Sequence, residues 1–307
     1  MIYDVHVGEE GWLFLTGGAN PPIRMYRRGI GRSLLLRRWA WLLAMRARRC
    51  RRRGIRYLHL PVPEKLSVYA DKAPALAIDP SLGSGQQLCR LIGNEQLCLD
   101  AVEPLVAARA GGETFLRTDS HWSSEGCRVA HDTICRTLGA PIRWQLEDRH
   151  CVVVEDFVGD LGVKLTPAPA ELLRRRTVTR DAVRIAANEL VQRYEQAGKA
   201  ADLHRGARVV YRNEAADADP RRLLLFGDSF SAFDHHGLSA MLAETFREVH
   251  FIWSSAIDWG YVDRVHPDLV LTELAERFMI WVPSDLDYDN EAFAGDRLRE
   301  LDQAGPA

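Results

Sequence analysis

Two short motifs together contain the residue types of a serine nucleophile, a histidine base and a supporting carboxylate. They are Thr-Asp-Ser-His-Trp at residues 118–122 and Phe-Gly-Asp-Ser-Phe at residues 226–230. A serine hydroxyl is a weak nucleophile until a neighbouring base removes its proton, and that base needs a third group to fix its tautomer. Ser229 is therefore the candidate nucleophile, His121 the candidate general base and Asp119 the group that orients the base.

The residues around both motifs predict how these side chains are positioned. An apolar run at residues 223–226 precedes Gly-Asp-Ser, which is typical of a strand that ends in a tight turn and presents the serine hydroxyl. Asp119 and His121 are two residues apart, so on an extended or looped segment their side chains leave on the same side and can contact each other. Folding then brings Ser229 to this pair.

The order of the motifs, with Asp-x-His before Gly-Asp-Ser, resembles the SGNH-like O-acetyltransferases of the alginate acetylation family. The resemblance extends to further blocks of the sequence, which are residues 11–15, 61–65 with Val68 and Tyr69, 119–123 with Gly126, 159–162, 227–230, and Glu276 with Arg277. It implies an α/β fold with an SGNH-hydrolase-like parallel sheet flanked by helices. It further implies one catalytic domain over residues 1–307, without an appended carbohydrate-binding module.

The same resemblance implies acetyl transfer to hydroxyl groups of a polysaccharide or glycan through an acetyl-serine at Ser229. His121 would act as the base in both steps, with the Ser229 backbone N–H as an oxyanion donor. No cofactor is implied besides an acetyl donor, which exported relatives receive through a membrane-bound acyltransferase. A carbohydrate esterase would use the same triad with water as the acceptor. A non-catalytic glycan-binding or assembly protein is a third hypothesis.

Four further side chains in the shared blocks are candidates for substrate contact: Lys65, Tyr69, Trp122 and Arg277. Trp122 either stacks on a sugar ring or fills the core behind His121. The three polar residues either line the site or support it from behind. His236, in an Asp-His-His cluster, is a back-up candidate for the base.

Cysteine and histidine spacing does not indicate a metal site. The six cysteines include no Cys-x-x-Cys pair, and Asp234, His235 and His236 are adjacent in sequence, so their side chains point in different directions. We expect reduced thiols. In an exported protein, Cys89 and Cys98 would be the nearest pair for a disulfide.

Positive charge is concentrated near the start of the chain. Residues 11–63 contain thirteen arginines and no acidic residue, and six of these arginines lie between Arg46 and Arg53. Such a run is either a solvated helix face or a surface for a polyanion, such as an acidic polysaccharide or anionic lipid. Nucleic acid is not expected as a partner, because no stacking-aromatic pattern accompanies the arginines and the pI is about 6.6.

Alternating strand and helix patterns predict a parallel α/β sheet, with both motifs at the carboxyl ends of strands, where such folds bind ligands. Strands are predicted at residues 11–15, 55–60, 96–100, 113–118, 151–155, 207–211, 221–226, 249–253 and 269–272, and helices at residues 33–53, 101–110, 123–138, 230–247 and 256–264. Residues 165–219 are the least regular and are predicted to be an insertion or lid, with a polar helix around residues 181–200.

The sequence also gives an expectation for the cellular compartment of the protein. Its best apolar stretch, residues 34–45, is interrupted by Arg37 and Arg38 and is too short to span a bilayer. Glu9 and Glu10 stand where a signal peptide would need a basic start and an apolar stretch. As written, the sequence predicts a cytoplasmic protein, whereas the resemblance implies a periplasmic one.

Overall fold

A six-stranded sheet forms the centre of this computed structural model, which describes residues 4–27, 29–143, 151–176, 179–232 and 237–304. The strands of this sheet and of two small hairpins are β1 (Val5–Val7), β2 (Leu13–Leu15), β3 (Arg56–Val62), β4 (Cys151–Phe157), β5 (Glu171–Arg176), β6 (Ala182–Ala187), β7 (Arg208–Asn213), β8 (Asp219–Gly227), β9 (Phe246–Trp253) and β10 (Leu269–Ala275). The α-helices are α1 (Ile30–Arg51), α2 (Lys65–Val68), α3 (Ser84–Ile92), α4 (Val102–Ala108), α5 (Ser124–Leu138), α6 (Glu189–Gln196), α7 (Leu238–Thr245), α8 (Trp259–Val265) and α9 (Asn290–Ala304).

The strand order of the central sheet is β3-β10-β8-β9-β7-β6. Strands β3, β10, β8 and β9 run parallel to one another. Strand β7 pairs with β9, and β6 with β7, in the antiparallel sense. The predicted parallel α/β sheet flanked by helices is therefore confirmed, with two antiparallel strands added at one edge.

In strand β8, apolar residues follow one another at positions 223–226 without alternating with polar ones. Leu223 and Leu225 belong to a core cluster that includes side chains of α5 and α7. Leu224 and Phe226 belong to a second cluster, which includes side chains of α1 and α8. Because successive side chains of a strand point to opposite faces, a strand covered by helices on both sides must be apolar at every position.

Two of the predicted strands are wrong. Residues 96–100 and 113–118 contribute only isolated bridges, one from Cys98 and one from Phe115. In the second segment, two backbone carbonyl groups accept hydrogen bonds from Lys65 Nζ instead of from a neighbouring strand. The predicted helix at residues 230–247 is shorter in the structure, where α7 starts at Leu238. Helices α2, α3 and α9 were not predicted.

Residues 165–219, the predicted insertion or lid, contain two strands of the central sheet. Strands β6 and β7, within this segment, form one edge of the central sheet, and β5 pairs with β4 in an antiparallel hairpin. Strand β6 occupies the start of the predicted polar helix, so α6 begins only after Asn188, whose side chain accepts a hydrogen bond from the Val191 N–H. The segment contributes to the sheet as well as to the wall of the cavity described below.

The helices of the described residues include none that is both long enough and apolar enough to cross a membrane. All six cysteines carry free thiols in the structure, and five of them are buried. Burial raises the pKa of the Cys50 thiol to about 12.

Gly126, in the first turn of α5, is packed too tightly to carry a side chain. A Cβ there would overlap the Thr114 carbonyl oxygen and lie 2.9 Å from the Trp122 Cβ. We expect Gly126→Ala to lower the free energy of unfolding by about 2 kcal/mol or more, because backbone next to His121 must move. Gly31→Ala is the control, since a Cβ at Gly31 would meet nothing within 4 Å. Urea denaturation measures both, and a Gly126→Ala protein as stable as the control would contradict the packing argument.

Candidate active site

Ser229 lies directly beyond the carboxyl end of β8, as the sequence predicts. It begins a short 3₁₀ turn, Ser229–Ser231. Asp228 caps this turn: its carboxylate accepts hydrogen bonds from the Phe230 N–H at 2.9 Å and from the Ala275 N–H at 2.8 Å. The second bond ties the turn to the end of β10. The turn that carries Ser229 is thus fixed to the neighbouring strand.

Glu273, a buried residue of β10, supports the same turn from below. Its Oε2 atom accepts hydrogen bonds from the Asp228 N–H at 3.0 Å and from the Ser231 hydroxyl at 2.7 Å. A Cβ on Gly227 would lie 2.8 Å from this Oε2 atom, so a larger residue there would displace the Glu273 carboxylate. Burial, and then the charge of Asp228, raises the pKa of Glu273 well above its usual range.

Asp119 and His121 contact each other within their own loop. One carboxylate oxygen of Asp119 accepts hydrogen bonds from the His121 backbone N–H at 2.9 Å and lies 2.7 Å from His121 Nδ1. The other carboxylate oxygen accepts from the Asp160 backbone N–H at 3.0 Å. Burial acts to raise the pKa of Asp119, but hydrogen bonds and charge from His121 outweigh it and hold that pKa well below its usual range.

Folding brings Ser229 to this pair. The Ser229 Oγ atom lies 2.8 Å from His121 Nε2. A carboxylate at Nδ1 favours the tautomer with its proton on that nitrogen, which leaves Nε2 as the acceptor of the serine proton. The three side chains therefore stand in the order carboxylate, imidazole, hydroxyl. This arrangement is suited to nucleophilic chemistry at Ser229.

The loop at residues 159–162 holds the Asp-x-His segment in place. A Cβ on Gly159 would lie 2.5 Å from the Asp119 Cβ, so the two backbones approach as closely as glycine permits. Two N–H groups of this loop donate to the Thr118 carbonyl at 3.1 and 2.9 Å. The Gly-Asp-Leu-Gly block thus sets the position of Asp119.

Arg277 also supports this segment. Its Nε atom donates to the Glu64 carboxylate at 2.7 Å, and its Nη1 atom donates to the Ser120 hydroxyl at 3.0 Å. Ser120 in turn donates to the Asp160 carboxylate through its backbone N–H and its hydroxyl, both at 2.6 Å. Both members of the ion pair are buried. Arg277 therefore fixes the residue between Asp119 and His121.

The structure places Lys65 and Tyr69 behind the site. Lys65 is buried, and its ammonium donates to the carbonyl groups of Leu13, Leu116 and Arg117 at 2.7, 2.7 and 3.0 Å. Burial lowers the pKa of Lys65 to about 7.

The buried Tyr69 hydroxyl accepts a hydrogen bond from the Thr114 N–H at 2.9 Å. None of the Lys65, Tyr69 and Arg277 side chains is part of the lining of the cavity over Ser229, which favours the supporting role for all three over direct substrate contact.

Trp122 lies at the inner wall of the site. Its side chain is only 1% exposed, and its ring meets the Phe230 ring edge-on, with 5.0 Å between centroids. A sugar needs an open aromatic face to stack on, so this geometry favours the core-filling alternative. His236, the back-up base, lies outside the described residues, as do Asp234 and His235.

A cavity of about 370 Å³ opens over Ser229 and His121. Its walls include residues that sequence reasoning missed, namely Phe157, Asp160, Leu173, Arg175, His204 and Trp253. Trp253 was detectable, because it ends β9, the parallel neighbour of β8, and ligand sites form at such ends. Asp160 belongs to the Gly-Asp-Leu-Gly block. The others come from the β4–β5 hairpin and its surroundings, for which the sequence carries no signal.

A second cavity, of about 570 Å³, is also lined by Ser229. It shares His204 and Trp253 with the first cavity. Its further walls are mainly aromatic and basic, with Arg205, Phe278, Trp281, Phe293 and Arg297. Ser229 thus stands where two cavities meet.

The site also contains a group of potential cation ligands. Ligand atoms of Asp119, His121 and Asp160 lie within 4.8 Å of one another. The two ring nitrogens of His121 already contact Asp119 and Ser229, so a cation at His121 would displace one of these hydrogen bonds. The hydrogen-bonded arrangement is that of a serine nucleophile with its base.

Breaking the ion pair behind the site should destabilise the protein. Arg277→Met leaves the Glu64 carboxylate buried without its cation, and we expect a loss of about 3 kcal/mol or more in the free energy of unfolding. Adding Glu64→Gln should recover part of the loss. The control is Arg299→Met, in the exposed pair with Asp296, which should change stability by no more than about 0.5 kcal/mol. Equal stability of the Arg277 and Arg299 variants would contradict the supporting role.

The Asp119 carboxylate should make stability depend on pH. Its pKa is lower in the folded protein than in the unfolded chain, so its stabilising contribution is complete above the unfolded pKa of about 3.9 and is lost as the pH falls below it. The difference in unfolding free energy between the unmodified protein and Asp119→Asn should therefore shrink on acidification. Asp296→Asn, at an exposed position, should show no such change. If the difference in unfolding free energy between Asp119→Asn and the unmodified protein did not change with pH, a stabilising, ionised Asp119 carboxylate would be contradicted.

Comparison with known proteins places the chain in a family. The family model described as the SGNH hydrolase-like domain of acetyltransferase AlgX matches residues 5–260. A probable alginate O-acetylase AlgJ from Pseudomonas aeruginosa is 28% identical over 168 residues, which are 53% of this chain and 38% of that protein. A second AlgJ, from Pseudomonas syringae, is 33% identical over 91 residues, 25% of this chain and 23% of its own length. The chain thus spans well under half the length of these relatives.

Solved structures show the same fold. The O-acetyltransferase domain of Pseudomonas putida AlgJ aligns over 95% of this chain and 98% of its own, with 18% identity and a TM-score of 0.57. Bacillus cereus PatB1 aligns over 93% of this chain and 99% of its own, with 14% identity and a TM-score of 0.60. With the family model matched across both motifs, the chain belongs to the family of SGNH hydrolase-like acetyltransferase domains typified by AlgX.

Proposed function

We propose that this protein transfers an acetyl group from a donor to a hydroxyl group of a polysaccharide, through an acetyl ester on Ser229. The observation that carries the proposal is the position of the His121 imidazole, with Nε2 2.8 Å from Ser229 Oγ and Nδ1 2.7 Å from the Asp119 carboxylate. This geometry is what activation of a serine hydroxyl requires.

In the first step, Ser229 Oγ attacks the carbonyl carbon of the acetyl donor. Its proton moves to His121 Nε2, and the Asp119 carboxylate stabilises the imidazolium that forms. The Ser229 N–H, at the start of the 3₁₀ turn, is the oxyanion donor we propose for the negative oxygen. The bond between the acetyl carbon and the leaving group then breaks. The leaving group takes the proton from His121, and the acetyl group remains on Ser229 as an ester.

In the second step, a sugar hydroxyl replaces the departed group. His121 removes the proton of that hydroxyl, and the sugar oxygen attacks the acetyl carbon. The bond from the acetyl carbon to Ser229 Oγ breaks, and Ser229 recovers its proton from His121. The products are the O-acetylated sugar and the original serine, so the same base serves both halves of the reaction.

The second cavity supports transfer to a sugar rather than to water. It gives an acceptor room beside the acylated serine, and its Phe278, Trp281 and Phe293 side chains present apolar surfaces to the C–H groups of sugar rings. The alginate O-acetylase names of the relatives support a polysaccharide as the acceptor. We further propose that a membrane-bound acyltransferase relays the acetyl group to Ser229. That route requires the exported location that the family resemblance implies, since a cytoplasmic protein could not use it unchanged.

Acetylation of Ser229 tests the proposal directly. With an activated acetyl ester, mass spectrometry should find one added acetyl group on the Ser229 peptide, and Ser229→Ala should abolish turnover. Ser124→Ala, at another serine that lines the cavity, is the control and should remain active. Asp119→Asn should retain a trace of activity, with a loss of about 10,000-fold. Acetylation at another residue while Ser229 stays unmodified would contradict the proposal.

A further inference from the structure

One face of α1 exposes large apolar side chains to solvent. Ile30 is 92% exposed, Leu34 60%, Trp41 66% and Met45 42%. On the opposite side of the helix, Trp39, Leu43 and Cys50 are buried in the core. The exposed apolar residues are therefore additional to those that attach α1 to the sheet, and they do not serve its packing.

Exposed arginines lie on the same face. At 3.6 residues per turn, these apolar positions fall within an arc of roughly 100° that also contains four arginines. We refer to the eight residues together as the α1 face: Ile30, Leu34, Arg37, Arg38, Trp41, Met45, Arg48 and Arg52, all of them exposed. The face thus combines apolar and cationic side chains along the whole helix.

Acidic residues around α1 neutralise other arginines of the sequence run. Arg46 is buried and pairs with Asp285 at 2.6 Å, and Arg53 pairs with Asp263 at 2.7 Å. Arg49 lies over the ring of Trp259, 4.2 Å from its centroid. Of the run from Arg46 to Arg53, only Arg48 and Arg52 therefore belong to the α1 face. The charge of the α1 face remains, because no ion pair between described residues involves Arg37, Arg38, Arg48 or Arg52.

A neighbouring loop extends the α1 face towards the active site. Leu286 is 80% exposed and lines a groove of about 800 Å³ with Trp41 and Met45. Residues 282–286 all contribute to this groove, while the adjacent Trp281 lines the second cavity at Ser229. One short segment thus connects the α1 face to the active-site region.

We propose that the α1 face, together with Leu286, binds the surface of an anionic lipid bilayer, with α1 lying in the plane of the interface. A polyanion in water, such as an acidic polysaccharide, would neutralise the arginines but leave Ile30 and Leu34 in water. A bilayer interface accommodates both groups, because apolar side chains enter the acyl boundary while arginines contact anionic head groups. The charge of the face complements that surface.

This orientation has a consequence for the acetyl donor. Because Trp281 lies next to the groove, a bilayer at the α1 face would be close to the second cavity, on the side from which a membrane-bound acyltransferase would deliver its group. This consequence rests on the proposed function. The binding of lipid does not, and it is tested without any assay of activity.

Flotation with lipid vesicles tests the binding. The protein should float with vesicles of phosphatidylcholine and phosphatidylglycerol, more strongly at low than at physiological ionic strength, and only weakly with phosphatidylcholine alone. Replacing Arg37, Arg38, Arg48 and Arg52 by glutamine should reduce partitioning onto the anionic vesicles by roughly 100-fold. Trp41→Ala should reduce it by roughly tenfold. The matched control replaces four exposed arginines elsewhere, Arg136, Arg180, Arg264 and Arg299, and should bind vesicles nearly as well as the unmodified protein.

Three results would overturn the proposal. The first is failure of the protein to float with anionic vesicles at either ionic strength. The second is a loss of binding in the control with four substitutions as large as that of the α1 variant, which would show attraction by overall charge alone. The third is normal vesicle binding by Trp41→Ala together with loss of retention of the arginine variant on an anionic polysaccharide column, which would identify the face as a glycan surface. Circular dichroism and activity on a small soluble ester, both expected to be unchanged, verify that each variant is folded.

Discussion

The proposed chemistry depends on one contact between two distant parts of the chain, the hydrogen bond between the Ser229 hydroxyl and His121 Nε2. Neither partner can be displaced by much, because proton transfer needs a heavy-atom separation of about 2.6–3.2 Å. Each is accordingly fixed by its own support. The Ser229 turn is attached to β10 through Asp228 and Glu273. The loop that carries His121 is held by residues 159–162 and by Arg277. The parallel sheet brings these supports to the same edge.

The support behind the site is polar, and this has an energetic cost. Lys65, Glu64, Glu276 and Arg277 are all buried, and burial of charge is unfavourable unless hydrogen bonds and opposite charges compensate for it. Glu276 receives backbone hydrogen bonds from Glu64 at 3.2 Å and Gly85 at 2.6 Å, yet burial still raises its pKa to about 7. Apolar side chains of similar size would pack there at lower cost but could not direct hydrogen bonds. The polar network fixes the orientation of the loop at the expense of stability.

Local signals made the positions of Ser229 and His121 in the fold predictable from sequence. The apolar run of β8, the turn after it and the start of α5 each depend on neighbouring residues, and the structure has all three. Long-range contacts account for the differences. The residues around 113–118 do not indicate that Lys65 binds carbonyl groups of this segment. The residues around Ala182–Ala187 do not indicate that β6 joins an edge of the central sheet. Glu273 and the walls of the two cavities depend on the whole fold. The expected compartment and acetyl donor stay predictions.

In the reaction we propose, the acetyl group passes through Ser229 to a sugar. A chase experiment with isolated acetyl-enzyme follows that passage. The enzyme is acetylated with an isotopically labelled ester, freed of reagent, and mixed with an oligosaccharide acceptor or with buffer, while label is followed on Ser229, on the sugar and as free acetate. We predict that the acceptor accelerates loss of label from Ser229 and that the label appears on sugar oxygen. Loss at the same rate with and without acceptor, with all label released as acetate, would contradict transfer and indicate an esterase.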